Sequence, residues 1–132
     1  MKPLVVDASA LIEYLLRTPR ALPLIPLIES RNHQLHVPAL ADVEIASVLG
    51  RLLLRGTLDD ARAAEALDDW FDLPLERHGH LSLLPRVVSL RQNFTAYDAV
   101  YVTLAEQLGA AVLTADGRLA RAIRAHLDIE LA

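Results

Sequence analysis

The stretch from Phe94 to Leu119, FTAYDAVYVTLAEQLGAAVLTADGRL, is the part of the sequence from which the fold is most readily inferred. Thr95 and Asp98 have the spacing of a capping box, which predicts a helix that ends at Gly109. The next five residues, AAVLT, predict a short buried strand, and Asp116 precedes a further helix. Both aspartates therefore stand where helices begin, and the pattern alone leaves open whether they are only helix caps.

Asp98 stands at the head of an apolar helix face. At about 100° per residue, Tyr101, Val102 and Ala105 lie on the same side of the helix as Asp98. No lysine or arginine stands three or four residues from it. A carboxylate that faces inward without a local cation needs a partner from elsewhere, and a metal ion is one candidate.

Composition limits the class of protein. The 132 residues, of which 53% are apolar, predict a single domain over residues 1–132. No apolar run approaches the ~20 residues of a membrane span, and Asp7 interrupts the N-terminal run, so neither a membrane protein nor a signal peptide is expected. The absence of cysteine excludes disulfides and thiolate metal sites, and the expected compartment is the cytoplasm. A net charge of −4 argues against a protein that coats nucleic acid through bulk charge.

Short apolar strands alternate with helices along the chain. Strands are predicted at 2–6, 35–37, 72–76 and 110–114, with an edge strand at 127–131. Helices are predicted at 10–16, 39–55, 57–70, 81–91, 95–108 and after 116, and in part of the proline-punctuated segment 21–30. Asp7 or Ser9 is expected to cap the first of these helices, and Thr57 is expected to cap the third. This alternation predicts an α/β layer fold with a mostly parallel sheet, whose sites lie at the carboxyl ends of the strands.

Glu44 is a further acid without a local partner. It lies in a very apolar helix, and none of the residues three or four positions away can pair with it. Asp42 lies about 160° round the same helix and cannot serve the same site. By contrast, Asp59 has Arg55 and Arg62 within helical reach and is expected to be a solvated surface acid.

The four acids Asp7, Glu44, Asp98 and Asp116 would repel one another if they converged. Their like charges would raise each other's pKa and cost stability unless a cation offset them. All-oxygen ligation suits Mg²⁺, with Mn²⁺ as a substitute. Such a cluster can activate water and stabilise the leaving oxygen in phosphodiester hydrolysis. The alternative is a set of separate caps and buried acids.

Three segments carry a resemblance to a known family: VVDASAL, VPALADVEIASVL and RQNFTAYDAVYVTLAEQLGAAVLTADGRLA. In their order and spacing they resemble the PIN-domain ribonucleases, and most closely the VapC toxins of bacterial type II toxin–antitoxin modules. The resemblance covers essentially the whole chain. It implies a PIN-like three-layer fold, with a mostly parallel central sheet flanked by helices, and the activity of a metal-dependent endoribonuclease.

The family's acidic positions carry over onto Asp7, Glu44, Asp98 and Asp116. By resemblance, Asp7 and Asp98 chiefly hold Mg²⁺, while Glu44 and Asp116 complete the shell directly or through water.

Three polar residues match positions that support such a cluster: Ser9, Thr114 and Asn93. Their alternatives are a helix cap, the end of a strand and a helix C-cap, respectively. Arg51 and Arg55 lie within about 20° of Glu44 around its helix and could contact RNA phosphates, although snorkelling surface arginines are the alternative.

Other residue classes give weaker signals. The five histidines show no metal-ligand spacing beyond His78-Gly79-His80, which predicts a loop, and metal ligation by them is not expected.

The resemblance also implies partners. These are an RNA substrate, a second copy of the chain in a homodimer, and a cognate VapB-type antitoxin that covers the acidic groove.

Two other functions compete with the nuclease. A receiver-like signalling domain phosphorylated on Asp7 would need a lysine near the pocket, whereas the single lysine, Lys2, stands at the wrong end of the first strand. A PIN-fold binding protein without turnover would keep the same acids, and an activity assay distinguishes it.

Overall fold

The central sheet has four strands, and every neighbouring pair is parallel. The computed structural model describes residues 1–132. The strands are β1 (Lys2–Val6), β2 (His33–Pro38), β3 (Leu75–His78) and β4 (Ala111–Leu113). Their spatial order is β3-β2-β1-β4, so the chain moves outward from β1 to β3 and then returns to the other side of β1. This reversal between β1 and β4 opens a crevice beyond the carboxyl ends of these two strands.

Seven helices surround the sheet. They are α1 (Ala8–Leu16), α2 (Ile25–Ile28), α3 (Leu40–Leu54), α4 (Asp60–Asp72), α5 (Leu84–Ser89), α6 (Ala96–Leu108) and α7 (Gly117–His126). Helices α1, α3 and α4 contact one another, whereas α5 packs against α6, which lies along β1, β2 and β4. The predicted α/β fold with a parallel central sheet flanked by helices is confirmed. No helix combines the length and the apolar composition that crossing a membrane would require.

Strand β1 and helix α6 contribute much of the buried core. Residues Leu4, Val5 and Val6 of β1 are at most 1% exposed, as expected for a parallel strand covered on both faces. Seven consecutive residues of α6, Ala99–Ala105, are also buried. A helix enclosed on all sides holds its first turn in a fixed position, and this first turn contains Asp98.

Local capping signals correctly predicted both ends of α6. The Thr95 side chain accepts a hydrogen bond from the backbone N–H of Asp98 at 3.1 Å. At the other end, Gly109 adopts a left-handed conformation with φ of 62°, which costs little without a Cβ atom. At the first helix, Asp7 and not Ser9 is the cap, because its Oδ1 accepts from the Ala10 N–H at 3.1 Å.

The predicted cap of α4 is wrong. Asp59, expected to be a solvated acid, accepts a hydrogen bond from the backbone N–H of Arg62 at 2.8 Å, and the helix begins at Asp60. Thr57 lies outside the helix. Both residue types favour N-caps, but the backbone N–H groups of Thr57 and Leu58 still donate to the carbonyl oxygen of Leu52 in α3.

Other element boundaries also differ from the prediction. Helix α4 continues to Asp72, so β3 begins at Leu75 and includes His78, which was expected in a loop. The segment 127–131 makes a single bridge between Leu131 and Val112 and forms no strand. In the proline-rich segment 19–30 the prediction of a helix in only part of residues 21–30 is confirmed, because a 3₁₀ turn at Pro19–Ala21 is followed by the short helix α2.

The cap of α4 gives a test of stability. Asp59→Ala should lower the free energy of unfolding by about 1 kcal/mol, because the N–H of Arg62 loses its acceptor. Thr57→Ala, the matched control, should change it by less than about 0.5 kcal/mol. Urea unfolding of both variants measures the difference, and equal effects would contradict the assignment of the cap.

Candidate active site

An open pocket of about 290 Å³ lies beyond the carboxyl ends of β1 and β4. Its lining includes all four of the predicted acids: Asp7, Glu44, Asp98 and Asp116. They come from the end of β1, the middle of α3, the first turn of α6 and the cap of α7. The structure therefore brings together four carboxylates that are up to 109 residues apart in the sequence.

Asp7 is the buried member of this set, with 5% of its surface exposed. Its Oδ1 accepts hydrogen bonds from Ser9 Oγ at 2.7 Å and from the Ala10 N–H at 3.1 Å. Its Oδ2 accepts a hydrogen bond from Thr114 Oγ1 at 2.7 Å. Burial raises the pKa of Asp7, the three hydrogen bonds oppose that rise, and the negative charge of Asp98 adds to it.

The hydroxyls of Ser9 and Thr114 are both oriented by their neighbours. Ser9 Oγ accepts from the backbone N–H of Ala115 at 3.0 Å, and Thr114 Oγ1 accepts from that of Asp116 at 3.0 Å. Each hydroxyl therefore has its single proton directed to Asp7. A carboxylate has about four lone-pair positions, so Oδ2 of Asp7 keeps one position free to face the pocket.

Tyr101 holds the Glu44 side chain in place. The sequence predicted only that Tyr101 lies on the apolar face of α6. Tyr101 donates its hydroxyl proton to Glu44 Oε1 at 2.7 Å. Burial raises the pKa of Glu44, the bond from Tyr101 opposes that rise, and the charges of Asp98 and Asp7 add to it. The Oε2 atom of Glu44 has no such donor and remains available to a ligand or a proton.

Asp98 and Asp116 share one cation, Arg118, which for Asp98 is a partner from elsewhere in the chain. Arg118 Nη2 lies 2.8 Å from Asp98 Oδ2 and 3.3 Å from Asp116 Oδ2. Asp116 also caps α7 by accepting from the backbone N–H groups of Arg118 and Leu119. Asp98 is not a cap in the same sense, because its carboxylate turns to Arg118 while Thr95 caps α6.

The donor set fits a hard divalent cation. The pocket offers four carboxylates, and the ion pairs to Asp98 and Asp116 come from Arg118, whose side chain is 59% exposed. An exposed arginine can leave these carboxylates at little cost. Oxygen donors of this kind are those that Mg²⁺ and Mn²⁺ prefer.

Several other predicted residues lie outside the pocket lining. Asn93 is exposed in the turn after α5. Arg51 and Arg55 are exposed at the C-terminal end of α3, so a contact with RNA remains a prediction for both. Asp42 points away, as predicted, and binds Arg77 and Trp70.

Three further polar residues that line this pocket were not predicted from the sequence: Tyr101, Glu13 and Arg20. Arg118, which pairs with two of the acids, was not predicted either. Arg20 forms an ion pair with Glu13 at 3.7 Å and donates to the carbonyl oxygen of Ala115. A signal existed for Tyr101, which stands one helical turn after Asp98, and for Arg118, which stands two residues after Asp116. Glu13 lies on α1 itself, whereas Arg20 reaches the pocket only through the path of the chain after α1, so no local signal existed for Arg20.

Comparisons with known proteins agree with this geometry. Residues 4–124 match the model of the PIN domain family. Ribonuclease VapC9 of Mycobacterium tuberculosis is 43% identical over 126 residues, which cover 96% of this chain and 95% of the relative. Ribonuclease VapC3 of the same species is 42% identical over 118 residues, with coverage of 89% and 85%. The crystal structure of PAE2754 from Pyrobaculum aerophilum shares the fold, with a TM-score of 0.71 and 24% identity over 98% of this chain and 83% of that chain.

The raised pKa of Asp7 predicts a pH dependence of stability without metal. A buried carboxyl whose pKa is higher in the folded state destabilises that state at neutral pH, and the cost disappears as the pH falls below its unfolded pKa of about 3.9. In EDTA, Asp7→Asn should therefore melt at a higher temperature than the wild type near neutral pH, and the difference should shrink towards about pH 4. The asparagine amide can donate to Thr114 Oγ1, whose proton can turn to Ser9 Oγ, 3.2 Å away.

Thermal melts across this pH range measure the effect. Asp68→Asn, which removes an exposed carboxylate from α4, is the control for the loss of one negative charge. A difference for Asp7→Asn that grows as the pH falls would contradict the sign of the pKa shift.

Proposed function

This chain belongs to the PIN-domain family and, within it, to the VapC ribonucleases, and we propose that its acidic pocket cleaves RNA as a metal-dependent endoribonuclease. The observation that carries the proposal is the convergence of Asp7, Glu44, Asp98 and Asp116 at the point where the strand order reverses. Open α/β sheets bind their ligands at this point. The reaction is the hydrolysis of an RNA phosphodiester bond.

Asp7 and Asp98 would hold Mg²⁺, or Mn²⁺ in its place, with Glu44 and Asp116 completing the shell directly or through water. The free lone pair on Asp7 Oδ2 and the exchangeable partner of Asp98 support this division. When bound, the cation would lower the pKa of a water molecule and stabilise charge on the leaving oxygen.

The residues of the chain have separate tasks in this proposal. Ser9 and Thr114 orient Asp7, and Tyr101 orients Glu44 through Oε1. The free Oε2 of Glu44 can accept a proton from the attacking water, and its raised pKa favours that role.

Arg118 has a task that depends on its exposure. In the free protein its guanidinium pairs with Asp98 and Asp116. Once a cation neutralises these carboxylates, the same group can turn to a phosphate of the RNA, which it can bind through two parallel hydrogen bonds. Arg51 and Arg55 remain further proposed contacts, about two and three helical turns beyond Glu44 on α3.

Replacement of Asp98 tests the nuclease. Asp98→Asn should lower the rate of RNA cleavage in Mg²⁺ by about 100-fold or more, because a bound metal contributes several kcal/mol to the transition state. The same variant should show a smaller rise of melting temperature in millimolar Mg²⁺ than the wild type, since a ligand of the folded state stabilises it.

Asp68→Asn is the matched control and should keep both responses, because this exposed acid lies outside the pocket. Full cleavage by Asp98→Asn would contradict the assignment. An intact wild type that binds Mg²⁺ but cleaves no RNA would instead favour the alternative of a PIN-fold binding protein without turnover. Membership of the PIN family leaves no support for a receiver-like phosphoacceptor domain.

The partners follow from the same family. We propose that the chain is the toxin of a VapBC-type module, forms a homodimer and is neutralised by a VapB-type antitoxin. Large apolar side chains on the surface support such interfaces, among them Leu54 at 91%, Leu81 at 82% and Phe71 at 72% exposure.

Co-expression tests the toxin role. The product of the adjacent small open reading frame should co-purify with the chain and inhibit its cleavage of RNA, because an antitoxin covers the acidic groove. Size-exclusion chromatography with light scattering of the chain alone measures the proposed dimer. Failure of the two products to form a complex would contradict the toxin role and leave the nuclease unaffected.

A further inference from the structure

A second group of potential metal ligands lies on β2 and β3, outside the acidic pocket. The parallel register places His36 opposite Glu76, and Pro38 opposite His78, so the three polar side chains share one face of the sheet. His36 Nδ1 lies 2.8 Å from His78 Nε2 and 3.2 Å from Glu76 Oε2. One ligand atom from each residue lies within 4.8 Å of the other two. None of the three lines the acidic pocket.

Gln34 determines which nitrogen of His36 faces this group. The Gln34 Oε1 atom lies 3.1 Å from His36 Nε2. An amide oxygen can only accept a hydrogen bond, so Nε2 carries the ring proton of the neutral imidazole. The lone pair of Nδ1 then points towards Glu76 and His78. This is the arrangement of a metal-binding histidine, whose second nitrogen donates to a fixed oxygen acceptor.

One contact within this group, between His36 Nδ1 and Glu76 Oε2, joins two hydrogen-bond acceptors. His78 Nε2 can donate a proton to His36 Nδ1, but Glu76 Oε2 is an acceptor and faces the same lone pair at 3.2 Å. His36 is only 4% exposed, so its Nδ1 depends on these neighbours for a partner. A cation bound by both atoms would replace the repulsion between their lone pairs with two favourable contacts.

We propose that His36, Glu76 and His78 bind a divalent transition metal, with Zn²⁺ as the best fit. Two imidazoles and one carboxylate suit Zn²⁺, which commonly takes three such protein ligands and a water molecule. The side chain of Glu76 is 57% exposed, which leaves an entry path from solvent. The acidic pocket, with oxygen ligands alone, suits Mg²⁺ instead, so the two sites differ in the metal that they select.

The three proposed ligands lie on two neighbouring strands, so a bound metal would connect these strands. Strand β3 is an edge of the sheet, bound on one side only by β2. A metal held between His36 of β2 and the two residues of β3 would pin this edge strand to the sheet. Binding to the folded state alone would then stabilise the protein, independently of the proposed nuclease activity.

Titration with Zn²⁺ tests the site. The full chain, stripped with EDTA and then placed in excess Mg²⁺ to occupy the acidic pocket, should bind one equivalent of Zn²⁺ by calorimetry, with a rise of melting temperature. Co²⁺ in place of Zn²⁺ should give visible absorption bands. His78→Gln and Glu76→Gln should lose these responses, and Gln34→Met should weaken binding by about 10-fold or more.

His80→Gln is the matched control, since His80 lies two residues beyond His78 and belongs to neither site. Glu76→Gln keeps the test valid if His78→Gln unfolds, because the Glu76 side chain is largely exposed. Wild-type affinity for Zn²⁺ in Glu76→Gln, or no saturable binding by the wild type, would overturn the proposal.

Discussion

The hydrogen bonds to the two carboxylate oxygens of Asp7 join the carboxyl ends of β1 and β4. Thr114, just after β4, donates to one oxygen, while Ser9 and the first turn of α1 donate to the other. A buried carboxylate loses its hydration, and these three donors compensate for part of that loss. Because Ser9 and Thr114 also accept from the backbone of the segment that leads into α7, the same contacts fix where Asp116 stands. This junction therefore positions two of the four acids, Asp7 and Asp116.

The pocket changes in character from its buried end to its exposed end. At the buried end, Asp7 and Glu44 are held by hydroxyl groups that carry no charge, and burial raises the pKa of both acids. At the exposed end, Asp98 and Asp116 are paired with the guanidinium of Arg118, which is open to solvent. An ion pair of this kind exchanges easily, whereas the buried hydrogen bonds do not. A cation can therefore enter from the side of Arg118 without disturbing the junction of β1 and β4.

Much of the fold and of the pocket could be predicted because local signals agreed with the tertiary packing. The cap at Thr95 and the left-handed Gly109 define α6 from sequence alone, and both are formed. The rule that open α/β sheets place their sites at strand ends predicted that Asp7 and Asp116 would meet. Prediction failed where two residues close together could each serve as a cap. Thr57 and Asp59 both favour N-caps, but Thr57 belongs to the turn after α3, where its N–H donates to Leu52, and Asp59 caps α4.

The sequence by itself determined the α/β alternation, the inward side of α3 that carries Glu44, and the identity of the four acids, because periodicity and capping are local properties. Only the tertiary structure decided which groups satisfy these acids. Tyr101 reaches Glu44 across 57 residues, and Arg118 reaches Asp98 across 20. The contact between His36 and His78 spans 42 residues and arises from the register of two parallel strands. No spacing rule along the chain encodes such register, because it depends on how the connecting helices α3 and α4 pack.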